Sequence, residues 1–180
     1  MIICAGEKEQ FPFAKSMGIG LIEMSINLTK ELLREQPKFL LFVGSAGTYG
    51  EHEIFDIVES KTATNIENGF FNAHAYTPID NLVSTAEDVS RETIVNSSNY
   101  ITTDESLAKY YIERGIGLEN MEFYAVLKVA KEFNIPAGGL FVVTNRCDED
   151  AHQMFLKNHR EAMLRLTQYM EHKVREDEEK

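Results

Sequence analysis

Two uninterrupted apolar runs, Phe39-Leu40-Leu41-Phe42-Val43 and Gly138-Gly139-Leu140-Phe141-Val142-Val143, constrain the fold more than any other feature of this chain. A strand with one wet face alternates apolar and polar residues. A strand without alternation is covered on both faces, as happens when helices pack above and below a largely parallel sheet. The rest of the chain supplies such helices. Leu21, Ile22, Ile26, Leu28, Leu32 and Leu33 recur at helical spacing until Pro37 stops the pattern. Asp104 reads as the N-cap of a helix carrying Leu107, Tyr110 and Tyr111 and ending at Gly115. A further helix is expected from about Asn120 to Phe133, with Pro136 behind it, and a long amphipathic helix from about Glu149. Residues 1–5, 54–58, 61–66 and 92–96 read as additional strands, with Asn68-Gly69 as a turn. The class is α/β, expected as a single domain over residues 1–174 followed by a charged tail at 175–180.

The 180 residues suffice for one proper core, since a chain of this size hides roughly 70% of its unfolded surface. A formal net charge of -11 repels phosphate backbones and anionic headgroups, so neither nucleic acid nor a membrane surface is an expected partner. Cys4 and Cys147 belong to no CxxC pattern and read as reduced thiols. The opening Met1-Ile2-Ile3-Cys4-Ala5-Gly6 lacks the basic flank and length of a signal peptide, which makes the cytoplasm the expected location. His52, His74, His152, His159 and His172 show no metal-ligand spacing, so no metal is expected. Phe70, Phe71, His74 and Tyr76 form an aromatic group suited to core or edge packing.

Ligand sites in open α/β sheets lie beyond the carboxyl ends of the strands. Asn120-Met121-Glu122 opens a helix and Thr144-Asn145-Arg146 ends a strand, which brings a carboxylate and a carboxamide toward one cleft. That pair suits a sugar and a base. By itself Glu122 also fits a helix start, where the macrodipole favours negative charge. The Gly44-Ser45-Ala46-Gly47 segment reads as a turn whose backbone N–H groups can wrap an anion, with the Ser45 hydroxyl added.

Several separated segments, in order, carry a family resemblance: Gly18-Ile19-Gly20, Gly44-Ser45-Ala46-Gly47, Asn120-Met121-Glu122 and Thr144-Asn145-Arg146, with Glu7 and Glu9 after the first strand. Together they resemble the nucleoside phosphorylase and nucleosidase superfamily, whose members cleave the bond between ribose and a nucleobase. The resemblance implies a three-layer α/β/α sandwich around a mixed, twisted central sheet, working as a homo-oligomer on a purine nucleoside. It also implies no cofactor, with inorganic phosphate as co-substrate. Cleaving this bond builds positive charge on the ribose and negative charge on the base, so the site must hold one and stabilise the other. By resemblance Glu122 accepts hydrogen bonds from the 2′ and 3′ hydroxyls. Met121 and Gly20 contact the substrate, Tyr100 lies against the base, and Gly44 to Gly47 hold phosphate.

Asn145 stands where nucleosidases carry an aspartate that donates a proton to N7. An amide cannot act as a general acid, but it can hydrogen-bond a 6-oxopurine at N7 and O6. Asn158-His159 is similar to a pair in trimeric purine nucleoside phosphorylases and implies a contact from His159 to the 5′ hydroxyl. Glu9 matches the glutamate with which nucleosidases activate water. Two departures separate the chain from the phosphorylases: Phe42 stands where they place an arginine, and a hairpin between Glu9 and Gly18 is missing. Arg146, Lys15 or an arginine of a neighbouring subunit would have to compensate. The expectation is therefore a purine nucleoside phosphorylase, a pentosyltransferase releasing free base and ribose 1-phosphate. A hydrolytic nucleosidase using Glu9 is one alternative, and a non-catalytic nucleoside-binding or assembly subunit is another.

Overall fold

Both apolar runs are neighbouring strands at the centre of one mixed sheet. In the computed structural model of the protein, which describes residues 1–72, 75–88, 90 and 92–178, β3 (Leu40–Thr48) and β9 (Ala137–Arg146) run parallel along their whole length. His74 and the last two residues of the tail lie outside the described residues. Residues of β9 alternate between two cores: Phe141 and Val143 enter one, Leu140 and Val142 the other. Neither face of the strand meets water, which is why its sequence does not alternate.

The remaining described strands are β1 (Ile2–Cys4), β2 (Lys15–Ser16), β4 (Ile57–Ser60), β5 (Thr62–Thr64), β6 (Leu82–Ser84), β7 (Ile94–Ser97) and β8 (Ile116–Asn120). They follow the order β2-β1-β3-β8-β7-β5-β6, while β9 pairs β3 and β4. The helices are α1 (Gly20–Leu32), α2 (Glu105–Ile112), α3 (Phe123–Glu132) and α4 (Ala151–Glu178). On one face, Met24, Leu28 and Leu32 of α1 and Val126, Leu127 and Ala130 of α3 complete the larger core. On the other, Ala162, Leu166 and Met170 of α4 cover Val43, Leu140 and Val142. Tyr111 of α2 stacks on Tyr49 at 4.2 Å between ring centroids and closes a third cluster at the sheet end. The result is the expected three-layer α/β/α sandwich with a mixed sheet.

The central strand changes neighbours partway along. Near its start, β3 pairs in parallel with β1 through Leu41 and Phe42; at its end it pairs antiparallel with β8 through Gly47 and Thr48. Thus Gly44-Ser45-Ala46-Gly47, expected as a turn, is strand: its backbone is enrolled in ladders with β9 and β8. Strand β8 is also a correction, because residues 116–120 fall between two helical patterns and α3 begins at Phe123 rather than Asn120. Asp104 caps α2 as expected, accepting from the Ser106 N–H at 2.9 Å. Asn68 opens a short 3₁₀ turn, Asn68–Phe70, and Phe71 packs edge-on against Tyr111 at 4.7 Å. The charged stretch after Arg175 continues α4 to Glu178. No helix among the described residues is long and apolar enough to cross a membrane.

Phe42, Phe123 and Phe141 pack as a trio with centroids 5.0 to 6.2 Å apart. Gly139 leaves them room: a Cβ there would stand 2.6 Å from the Phe141 ring and 2.7 Å from the Phe123 ring. Gly139→Ala is expected to lower stability by about 1–3 kcal/mol through overpacking, read as a reduced urea midpoint at unchanged slope.

Candidate active site

Where β1 parts from β3 and β8 takes its place, the sheet opens a crevice. Such switch points are where ligands bind in open α/β sheets. Residues 5–9 leave along one side and Asn120, Met121 and Glu122 along the other. Between them lies a cleft of about 300 Å³ whose floor is Ser45, Ala46 and Gly47 of β3. Asn145, Ile19, Ile101 and the first turns of α4 complete its wall.

Asn120 builds one side. Its Nδ2 donates to the Ser45 carbonyl at 3.1 Å, and its Oδ1 accepts from the N–H groups of Glu122 and Phe123 at 2.8 and 2.9 Å. Those N–H groups are among the unpaired donors at the start of α3, so Asn120 supplies the cap that Glu122, in the N-cap position, does not. Glu122 is thereby turned into the cleft, 3% exposed, with Oε1 accepting from the Gly20 N–H at 2.8 Å. Gly20 holds the carboxyl from behind rather than lining the cavity. Burial, reinforced by the charge of Glu9 nearby, raises the Glu122 carboxyl to about 8.

Glu9 builds the other side. It closes a tight turn, its N–H bonded to the Gly6 carbonyl at 2.9 Å, with Gly6 and Glu7 both left-handed (φ 108° and 52°). Its carboxylate rests on Ser45, accepting from the hydroxyl and, at 3.3 Å, from the N–H. Gly44 makes room for it, since a Cβ there would lie 3.0 Å from Glu9 Oε2. Burial pushes the Glu9 carboxyl above the usual range, opposed by the two Ser45 donors and by His159.

Asn145 reaches the same cleft because β9 carries an extra residue opposite Ala46 and Gly47, a bulge that re-aims the side chains beyond it. Its Oδ1 accepts from the Thr144 hydroxyl at 2.9 Å and its Nδ2 donates to the Arg146 carbonyl at 3.1 Å, leaving the second N–H of Nδ2 for a ligand. Gly47 is the second gap in the strand, with Asn145 Nδ2 only 2.8 Å from where its Cβ would be. The two glycines thus leave room for a carboxylate and an amide beside the strand.

Of the residues expected at the site, Glu9, Ser45, Ala46, Gly47, Met121, Glu122 and Asn145 meet in this cleft. Gly44 lies beneath it. Tyr100 does not join: it is 74% exposed, and Ile101 faces the cavity instead. The His159 ring does not line the cavity; its Nε2 bonds the Lys8 carbonyl at 3.1 Å. Of the cations named for phosphate, Lys15 pairs with Glu31 and Arg146 with Glu53 at 3.6 Å, and neither of these two lines the cleft. Sequence reasoning missed Glu119, His152 and Phe155. Glu119 sits in the unrecognised strand, gripped by Thr102 N–H and Tyr49 O–H at 2.9 and 2.8 Å. Phe155 precedes His159 by one helical turn and so shares its face, the one signal available.

Comparison with known proteins matches the phosphorylase superfamily over residues 3–175. No curated protein sequence matches the chain. Among solved structures, a mutant of the Helicobacter pylori 5′-methylthioadenosine/S-adenosylhomocysteine nucleosidase with 5′-methylthioadenosine in its active site is similar at a TM-score of 0.80 and 15% identity, covering 97% of each chain. The native futalosine hydrolase of the same organism is similar at 0.79 and 15%, over 97% of this chain and 96% of that one. The Streptococcus pneumoniae nucleosidase bound to a transition-state inhibitor gives 0.73 and 15%, over 94% and 95%. These structures are of nucleosidases and a hydrolase, not pentosyltransferases, and the expectation of a phosphorylase is corrected accordingly. The physical reason is at Ser45, where the donors that were to bind phosphate already hold the carboxylate of Glu9.

A raised carboxyl makes a pH prediction. Folded Glu122 keeps its proton up to about 8, whereas the unfolded chain loses it in the usual carboxylate range, so stability falls as pH rises between those limits. Glu122→Gln removes that loss. Its stability advantage over the parent is expected to grow by roughly 2 kcal/mol between pH 6 and 9, measured by urea unfolding.

Proposed function

The chain belongs to the phosphorylase superfamily, and we propose that within it the protein is a hydrolase of purine nucleosides, with water as the nucleophile and Glu9 as the base that activates it. The observation that carries this reading is the seat of Glu9, a half-buried carboxylate on the Ser45 hydroxyl and N–H, in one cleft with Glu122. The likeness in fold to nucleosidases supports it.

The reaction uses each side of the cleft differently. Glu122 accepts from the ribose hydroxyls and favours positive charge developing on the sugar. A water beside Glu9 forms its bond to C1′ as the bond from C1′ to the base breaks, and its proton passes to Glu9. The departing base keeps the electron pair, meets the free N–H of Asn145 at N7, and takes its proton from solvent. Because an amide stabilises the base by hydrogen bonding alone, the favoured leaving groups are 6-oxopurines, whose negative charge spreads onto a carbonyl oxygen. Glu9 and Glu122 both have raised carboxyls, and a base held above the usual range abstracts a proton more readily near neutral pH.

Incubation with inosine, with and without phosphate, is expected to release hypoxanthine and free ribose at equal rates. Glu9→Gln is expected to lower kcat by about 10²–10⁴-fold. Strictly phosphate-dependent release would overturn the hydrolytic reading, and thermal stabilisation by inosine without any turnover would make the protein a binding subunit.

A further inference from the structure

We infer that His159 is a positioning residue: from α4 it holds the Gly6-Glu7-Lys8-Glu9 turn, and through that turn it fixes where the Glu9 carboxylate stands over Ser45. The inference rests on the hydrolytic role proposed for Glu9 and deepens it.

The turn projects beyond the part of the chain that the sheet secures. Up to Ala5 the backbone is paired: Met17 and Gly18 donate to the Cys4 and Ala5 carbonyls at 2.9 and 2.8 Å. Beyond that, the chain reverses within four residues, two of them in the left-handed region, and one of those is the non-glycine Glu7. Such a conformation is sparsely populated and persists only where its surroundings impose it. The turn closes on itself through the Glu9 N–H and the Gly6 carbonyl, and His159 adds a tie from a distant element, its Nε2 at 3.1 Å from the Lys8 carbonyl. A carbonyl only accepts, so Nε2 carries the hydrogen and the tautomer is set by this contact.

The anchor is itself held. Half-buried His159 lies against the Phe155 ring, 5.6 Å between centroids, and Phe155 forms part of the cleft wall. The preceding residue, Asn158, donates to the Thr144 carbonyl at 2.8 Å, next to Asn145. One helix therefore grips both the turn that carries Glu9 and the strand end that carries Asn145. The charge of a protonated His159 also favours the ionised form of Glu9. The other groups acting on that carboxyl are the Ser45 donors, Glu122 across the cleft and the Cys4 thiol.

The test compares His159→Ala, which removes the tie, with His159→Gln, which keeps a donor but no charge. Exchange of the Glu9 amide, followed by NMR without substrate, is expected to rise about tenfold or more in the alanine variant and to stay near the parent in the glutamine variant, with β9 amides unchanged. In inosine hydrolysis, kcat of the alanine variant is expected to fall on the order of ten- to a hundredfold at similar KM, with recovery in the glutamine variant. Unchanged Glu9 exchange in His159→Ala overturns the inference, as does faster exchange with parental kcat. Faster exchange in a protein whose parent hydrolyses no nucleoside supports the tie and refutes the hydrolytic reading, so the two ideas fail separately.

Discussion

The site depends on a central strand that loses one neighbour before it gains the next. Between Phe42, the last partner of β1, and Gly47, the first of β8, the edge of β3 is unclaimed by either strand, and backbone groups left unpaired in a buried place must find side-chain partners. Ser45 sits in that gap. Its carbonyl takes the Asn120 amide, and its N–H and hydroxyl take the Glu9 carboxylate. The need to satisfy one residue's backbone thus brings together the two chain segments that form the walls of the cleft.

How much of this was legible in the sequence depends on how local each signal is. The covered strands announced themselves through unbroken apolar runs, and Asp104 through its cap, because those patterns need only a few adjacent residues. Convergence of Glu122 and Asn145 was readable because both lie at element ends on one side of a sheet. Strand β8 was not, since five residues mixing apolar, glycine and polar positions carry no clear periodicity, and pairing with β3 and β7 makes them a strand. The Gly44-Ser45-Ala46-Gly47 motif was misread for a related reason. Glycine gives either a free backbone or an empty space, and only the neighbours decide which. Here the neighbours are Glu9 and Asn145. Tyr100 and Ile101 differ by one position in an irregular segment, where sequence offers no rule for which faces inward.

Glu9 and Glu122, close together among the acidic residues that line one cavity, are an unfavourable arrangement for a chain that already carries -11. Burial and mutual repulsion both resist ionisation of Glu122, and hydrogen bonds from the Gly20 N–H, the Asn120 side chain and the Met121 backbone oppose them. Hydrophobic residues at such positions would serve the fold better. Strain of this kind, concentrated where chemistry is proposed and absent from the Phe42, Phe123 and Phe141 core, is what a trade of stability for activity looks like.

The buried state of Glu122 has a calorimetric consequence. Near neutral pH that carboxyl keeps its hydrogen, whereas a vicinal diol arriving with two donors needs both oxygens free to accept. Occupancy by such a ligand would therefore be linked to expulsion of a hydrogen ion into the medium. The apparent heat of association would then vary with the ionisation enthalpy of the buffer, and affinity would strengthen toward mild alkalinity before levelling off above about 8.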